Sequence, residues 1–392
     1  MATPQTFILP DLVSNCPYPL RVNPLSEIVT RQSEEWILSE ATYTERKRQV
    51  FLNVRAGVLT ANCYPKADEF HLQVASDYLT WLFCFDDWSD EFDESDAYSF
   101  AECIMACLRD PVNFQTDKAA GRLTKSFFSR YLRTSGPRCA KRFIDTMDLY
   151  LKAVAQQAAD RTDDNTPDLE SYIALRRDTS ACRPCFALHE WVADIDLPDE
   201  VAQHPLVKSM EEATNDLVSW SNDVFSYNNE QSRGDTHNLV AVIMKHRNLD
   251  LQRAMDYAGE LCHQSIARFE AARHSLPSWG DEVDRDVKTY VQGMQDWIVG
   301  SLHWSFTGTR RYFGTEGAEI KRHRTVQLLP QKKPKGGVVS NKSVVVEQDR
   351  YKASSFVLYL SRVLALTQPC TDCQSLALVY YPIIHHILRL YR

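Results

Sequence analysis

Tyr78-Leu79-Thr80-Trp81-Leu82-Phe83-Cys84-Phe85 runs straight into Asp86-Asp87-Trp88-Ser89-Asp90-Glu91. A mostly apolar run gives way to a segment, Asp86 to Asp96, that holds seven carboxylates in eleven residues. Helical spacing resumes at His71 and continues across this boundary. On a helix Asp86 and Asp90 stand one turn apart on one face. Asp87 lies about 100° round from Asp86. Carboxylates this close resist joint ionisation unless a cation sits among them. Mg²⁺ takes oxygen ligands, commonly one or two carboxylates, and completes its shell with substrate phosphates. A solvated acidic loop after a core helix is the other reading of the same residues. The rest of the chain has to choose between them.

The chain has 392 residues, 44% of them hydrophobic, which is ample for one large domain or two smaller ones. Only 13 are glycine, so long helices suit it better than a sheet with many tight turns. A formal charge of −8 excludes a broad nucleic-acid footprint, which needs a basic surface. Met1 to Ser14 has neither the basic region nor the apolar run of a secretory leader. The eleven cysteines are therefore expected as reduced thiols in a cytoplasmic protein. Cys182/Cys185 and Cys370/Cys373 have Cys-x-x-Cys spacing but no histidine cluster beside them, so buried thiols are expected there, not zinc.

Three regions follow from the pattern. Residues 1–24 read as a Pro-punctuated arm whose apolar residues need a body to cover. Residues 25–330 read as a series of helices. Leu25–Leu38 comes first, then Thr42–Thr60, where Gly57 marks a kink or a close approach. Ser99–Leu108, Thr124–Ser135 and Ala140–Asp160 follow. Thr166-Pro167 reads as the cap and first residue of a helix that Pro184 kinks or ends. Residues 186–195, Leu206–Glu230, Asn238–Lys245, Leu249–Ser275 and Asp284–Trp304 complete the series, with no convincing strand ladder. Residues 331–392 form an extension of different character. Its apolar segments fall short of the roughly 18 uninterrupted residues of a spanning helix, so no obligate membrane partner is expected.

A second polar constellation lies on the long helix over 206–230. Asn222, Ser226 and Glu230 fall at i, i+4 and i+8, which lines up an amide oxygen, a hydroxyl and a carboxylate on one stripe. Such a stripe suits a hard cation. A polar helix face with no further role is the alternative. Arg176, Arg177 and the pair Arg311-Tyr312 supply donors suited to phosphate oxygens. Two oxygen-rich motifs and these donors together fit the binding of one polyanion through several metal ions.

These residues, taken in order, resemble the fungal (basidiomycete-type) class I sesquiterpene synthases. The resemblance rests on Asp86-Asp87-Trp88-Ser89-Asp90, on the full Asn222-to-Glu230 motif, on Arg233-Gly234-Asp235-Thr236-His237-Asn238, and on Arg311-Tyr312. It covers roughly residues 5 to 330 and not the extension. Arg177 stands where the family places an arginine that senses the diphosphate, with Arg176 the alternative by count. Four residues later the family usually has glycine, whose carbonyl helps trigger ionisation. Here Ala181 keeps the carbonyl, and Ser180 stands as the linker.

The resemblance implies an all-α fold: a single helical bundle with an apolar active-site pocket between the helices. It implies cyclisation of farnesyl diphosphate to a sesquiterpene hydrocarbon or alcohol, with release of diphosphate. Three Mg²⁺ ions are implied, held by Asp86, Asp87, Asp90, Asn222, Ser226 and Glu230. Arg177, Arg233, Arg311 and Tyr312 are the implied diphosphate donors. Aromatic faces suit a carbocation, and Phe83 and Trp304 are the first candidates to line its path, followed by Trp81, Tyr64 and Phe306. Ordinary core packing is the alternative for each. No side chain stands out as terminal base, which leaves the released diphosphate. A chain-elongating prenyltransferase would carry a second aspartate-rich motif where this chain has Asn222/Ser226/Glu230. An inactive helical relative is the third reading. A monomer or homodimer is expected.

Overall fold

Asp68 starts the helix that leads into the acidic stretch, its carboxylate accepting from the His71 backbone N–H at 2.9 Å in the manner of a helix N-cap. The helix then buries Leu72, Val74, Ala75, Tyr78, Leu79, Trp81 and Phe85. Burial all round the helix makes it a central element. In its last turn the side chains of Asp86 and Asp87 reach solvent, 50% and 34% exposed.

The computed structural model describes residues 5–89, 92, 94–162 and 167–332. They fall in one compact unit, and beyond Lys332 the extension expected over 331–392 lies outside the described residues. The helices are α1 (Ser26–Leu38), α2 (Glu45–Leu52), α3 (Ala56–Cys63), α4 (Glu69–Ser89), α5 (Glu94–Arg109), α6 (Ala119–Tyr131), α7 (Pro137–Thr162), α8 (Leu169–Thr179), α9 (Cys182–Val192), α10 (Asp199–Ala202), α11 (Pro205–Arg233), α12 (Leu239–Arg247), α13 (Leu251–His274), α14 (Asp281–His303) and α15 (Gly317–His323). Helix α11 is the longest, at 29 residues or about 44 Å. Pro205 occupies its first turn and Gly234, at φ 84°, ends it, as proline and glycine do at these positions. It packs most extensively on α13 and also meets α8, α9, α12 and α14.

The one sheet among the described residues was not anticipated. β1 (Thr6–Ile8) pairs antiparallel with β2 (Thr325–Gln327), Phe7 opposite Val326. Both of these are buried, and Phe7 meets the Tyr227 ring edge-on at 6.2 Å. The chain beyond β2 then lies along α11: Leu329 N–H donates to Asn228 Oδ1 at 2.8 Å and Lys332 N–H to the Ser232 carbonyl at 2.8 Å.

Several expected boundaries move, each for a physical reason. The helix expected over 42–60 is two helices, broken at Asn53–Arg55, with Arg55 left-handed at φ 52°. Carbonyls at this break are captured from a distance: Asn53 O accepts from Arg310 N–H at 2.9 Å, and Arg55 O from the Trp304 indole at 3.2 Å. Gly57 is not the kink but the close approach, since a Cβ there would lie 2.5 Å from Thr30 Cα. Asp168, not Thr166, caps α8, accepting from Ser171 N–H at 2.8 Å, and Thr166 lies outside the described residues. Helix α8 ends at Thr179, well before Pro184, which sits in the first turn of α9. Helix α14 passes into a π turn over Trp304–Gly308, a feature often found at functional sites. The described cysteines are free thiols, with Cys182 and Cys185 buried.

Candidate active site

Two consecutive residues join the two polar motifs. Arg311 Nη2 donates to Asp86 Oδ2 at 3.0 Å, and its Nη1 lies 3.7 Å from Asp87 Oδ1. Next to it, Tyr312 Oη accepts from the Asn222 side-chain amide at 2.6 Å. The end of α4 and the middle of α11, more than 130 residues apart in the chain, thus meet at one short segment. Asn229 fixes that segment by donating to the carbonyls of both Arg311 and Tyr312, at 3.1 and 3.0 Å. Burial works against the charge on Arg311, but Asp86, Tyr312 and Asp87 outweigh it and hold its pKa above the ordinary value. Burial pushes the Tyr312 phenol up to about 12 although Arg311 pulls the other way. It therefore stays protonated at neutral pH, with its O–H available as a donor.

Beneath Arg311 lies an aromatic floor. Its guanidinium sits 5.6 Å from the Phe83 ring centre, within cation–π range. Phe83 packs on Trp304 at 5.6 Å, and Trp304 meets the Tyr312 ring edge-on at 5.8 Å. Phe83 and Trp304, the two aromatics named first from sequence, stand together beside Arg311 and Tyr312. The other three have other ring partners, and Phe306 reaches Tyr312 through Phe225 and Phe313. Trp81 stacks on Phe85 and leans on Phe127. Tyr64 donates its hydroxyl to the Cys185 carbonyl at 3.0 Å and stacks on His189. Phe306 packs between Phe225 and Phe313. A surface groove of about 610 Å³ bordered by Trp36, Phe70 and Arg130 involves none of the expected site residues.

The structure separates the two adjacent arginines of α8. Arg177 turns to Asp216, donating through Nε and Nη2 at 2.7 and 2.8 Å, and Arg268 pairs with the same carboxylate. Arg176 faces Asn222 and Asp223 on α11. Its Nη2 donates to Asn222 Oδ1 at 3.0 Å and its Nε to Asp223 Oδ1 at 3.0 Å. Burial opposes the Arg176 charge, but Asp223 and Tyr172 more than offset it, so its pKa is raised. Asp223 organises this corner, also accepting from Tyr172 Oη at 2.6 Å and Leu239 N–H at 3.2 Å. Its place directly after Asn222 was the only sequence signal for that role.

Ser226 and Glu230 are both on α11 behind Asn222. Ser226 is buried. Glu230 accepts from the Asn238 amide at 2.8 Å. Burial and the nearby Asp223 raise the Glu230 carboxyl to about 7, with the Asn238 bond opposing. A buried carboxylate so weakly compensated suits a divalent cation. Among the described residues no three His, Cys, Asp or Glu side chains converge on one point. The oxygen donors instead form two half-sites, Asp86/Asp87 and Asn222/Ser226/Glu230, which fits an ion that takes few protein ligands and completes its shell with phosphate. Asp90 lies outside the described residues. Arg233 closes α11 and is exposed. Ala181 stands left-handed, at φ 55°, between α8 and α9. No described helix is long and apolar enough to cross a membrane.

Comparison with known proteins adds the chain's relatives. Residues 77–268 match the model of terpene synthase family 2, C-terminal metal binding. The chain is 49% identical over 321 residues to sesquiterpene synthase 3 of Postia placenta, covering 82% of this chain and 88% of that one. It is 46% identical over 335 residues to alpha-muurolene synthase of Coprinopsis cinerea, covering 83% and 79%. Among solved structures, germacradien-4-ol synthase from Streptomyces citricolor superposes with a TM-score of 0.65 at 23% identity, over 74% of this chain and 96% of that one.

Proposed function

The chain belongs to the fungal sesquiterpene synthase family, and from that premise we propose that it ionises farnesyl diphosphate with Mg²⁺ and cyclises the resulting cation. The observation that carries the reading is the bridge made by Arg311 and Tyr312, which sets Asp86 and Asn222 around one place for a polyanion. Three Mg²⁺ ions, held by Asp86, Asp87 and Asp90 on one side and by Asn222, Ser226 and Glu230 on the other, would neutralise the leaving diphosphate.

The chain's own residues do the rest. Arg176 donates to the diphosphate, the role that sequence spacing left between Arg177 and Arg176. Its Nη2 already points along the Asn222 stripe. Arg311 leaves its aspartates for the phosphate oxygens, the Tyr312 O–H donates beside it, and Arg233 joins from the end of α11. Donors aimed at charge that develops on the leaving group stabilise the breaking C–O bond. Phe83 and Trp304 face the cation with rings that attract it and do not capture it. The released diphosphate takes the final proton. Replacement of the second aspartate-rich motif by Asn222/Ser226/Glu230 speaks against chain elongation. We place the enzyme in the cytoplasm.

Incubation of the purified chain with farnesyl diphosphate, with and without Mg²⁺, tests the reading. A cyclic C15 product that requires the metal is expected. Metal-independent turnover, or no product from geranyl, farnesyl or geranylgeranyl diphosphate, would refute it.

A further inference from the structure

One side chain of α11 brackets the strained link between α8 and α9. Ala181 has φ 55° and ψ 18°, the left-handed region in which a Cβ crowds the backbone. It is only 3% exposed. Such a conformation persists where its surroundings over-determine it, and it clusters at active sites. Among these surroundings Asn215 makes the side-chain bonds from α11 to the link. Its amide N–H donates to the Arg177 carbonyl at 2.7 Å, and its Oδ1 accepts from the Ser180 hydroxyl at 2.7 Å. Ser180 Oγ in turn accepts from Cys182 N–H at 3.2 Å. The residues before and after Ala181 are thereby tied to one buried amide.

Asn215 stands seven residues before Asn222 on α11, two turns along the same face. Asp216 takes the Arg177 side chain, the Ser219 carbonyl accepts from Arg176 at 3.4 Å, and Asn222 accepts from it at 3.0 Å. The last turn of α8 is therefore registered against α11 from Asn215 to Asn222. We propose that Asn215 is a positioning residue of the diphosphate site. It locks the α8–α9 link, and through that link it holds Arg176 against Asn222 and fixes the aim of the Ala181 carbonyl. The inference rests on the proposed cyclase function. It adds that Asn215 offsets the strain at Ala181, so the two positions are coupled. Glycine, which adopts this conformation freely, should make the amide less necessary.

The test is a double-mutant cycle on the full chain, with Asn215→Ala, Ala181→Gly and their combination. Ser180→Ala with and without Ala181→Gly repeats the comparison should Asn215→Ala not fold. Asn215→Ala is expected to lower kcat for farnesyl diphosphate by about ten- to a hundredfold, the scale of a small misplacement, while KM moves less than about threefold. Adding Ala181→Gly is expected to recover at least about threefold of the lost kcat, a typical coupling between contacting residues. Equal losses of kcat with Ala or Gly at 181 would overturn the proposal, as would a loss confined to KM. If the unaltered chain makes no product, the cyclase reading fails on its own. The coupling is then read from urea unfolding: additive effects at 215 and 181 overturn it, and a non-additivity of at least about threefold in the unfolding constant sustains it.

Discussion

Replacing Arg176 and Arg177 one at a time by methionine separates two side chains that are neighbours in sequence and differ in partner. Arg176 is 14% exposed and bonds to a carboxylate that is 4% exposed. Breaking a buried pair by removing one member costs roughly 3–5 kcal/mol. Asp223 would keep two donors, Tyr172 Oη and Leu239 N–H. That places the expected loss of stability near the lower end, about 3 kcal/mol. A charge-assisted bond to the diphosphate is worth a further 1.5–3 kcal/mol or so, which corresponds to about ten- to a hundredfold in turnover. Arg177 differs on both counts. Its partner Asp216 retains Arg268, and its other contact, Glu212, is 44% exposed. Arg177→Met should therefore cost about 1 kcal/mol and leave kcat within about threefold. Urea unfolding gives the first quantity, and product formation from farnesyl diphosphate with Mg²⁺ gives the second. A folded Arg177→Met protein that loses about a hundredfold in kcat, beside an Arg176→Met protein that keeps its turnover, would show the assignment to be reversed.

Glu230 makes the metal-free fold pH-dependent. Its carboxyl rises from an ordinary 4.5 to about 7 through burial and Asp223, so between these values the fold holds a proton that the unfolded chain has lost. Stability from this group is therefore present at low pH, falls as pH rises from about 4.5 to about 7, and levels off above, by about 3 kcal/mol in all. Urea midpoints measured at pH 5 and 8 in chelator should show this slope, and Glu230→Gln should flatten it; an unchanged slope in the variant would assign it elsewhere. Phe83→Ala removes both a ring beside Trp304 and the face under Arg311. It should divert product toward linear and water-quenched alcohols, and lower kcat about tenfold, the scale of one partly desolvated cation–π contact. An unchanged product profile by gas chromatography would return Phe83 to ordinary packing.

Much of the candidate site was legible because it is written within single helices. Asn222, Ser226 and Glu230 share a stripe of α11 whatever else the chain does, and Asp86 stands in the last turn of an apolar helix. Features that two elements decide jointly were not legible. The strands over 6–8 and 325–327 are three residues each, too short to show a period, and each is a strand only because the other lies beside it. The break at Asn53–Arg55 has no proline or glycine. It forms where carbonyls of the break accept bonds from Trp304, Thr309 and Arg310, so Gly57 drew attention that belonged three residues earlier. Trp81 and Tyr64 have the chemistry of a cation wall, but their neighbours are Phe127 in one case and His189 in the other, and identity alone does not reveal neighbours. The proposed diphosphate sensor is the sharpest case. One step along a helix turns a side chain by about 100°, so a count that is off by one exchanges Asp216 for Asp223 as the partner. The carboxylates that decide it are on α11, and the same helix, through Asn215, fixes where α8 ends. The position that sequence spacing left open by one residue is therefore the position whose geometry a second helix imposes.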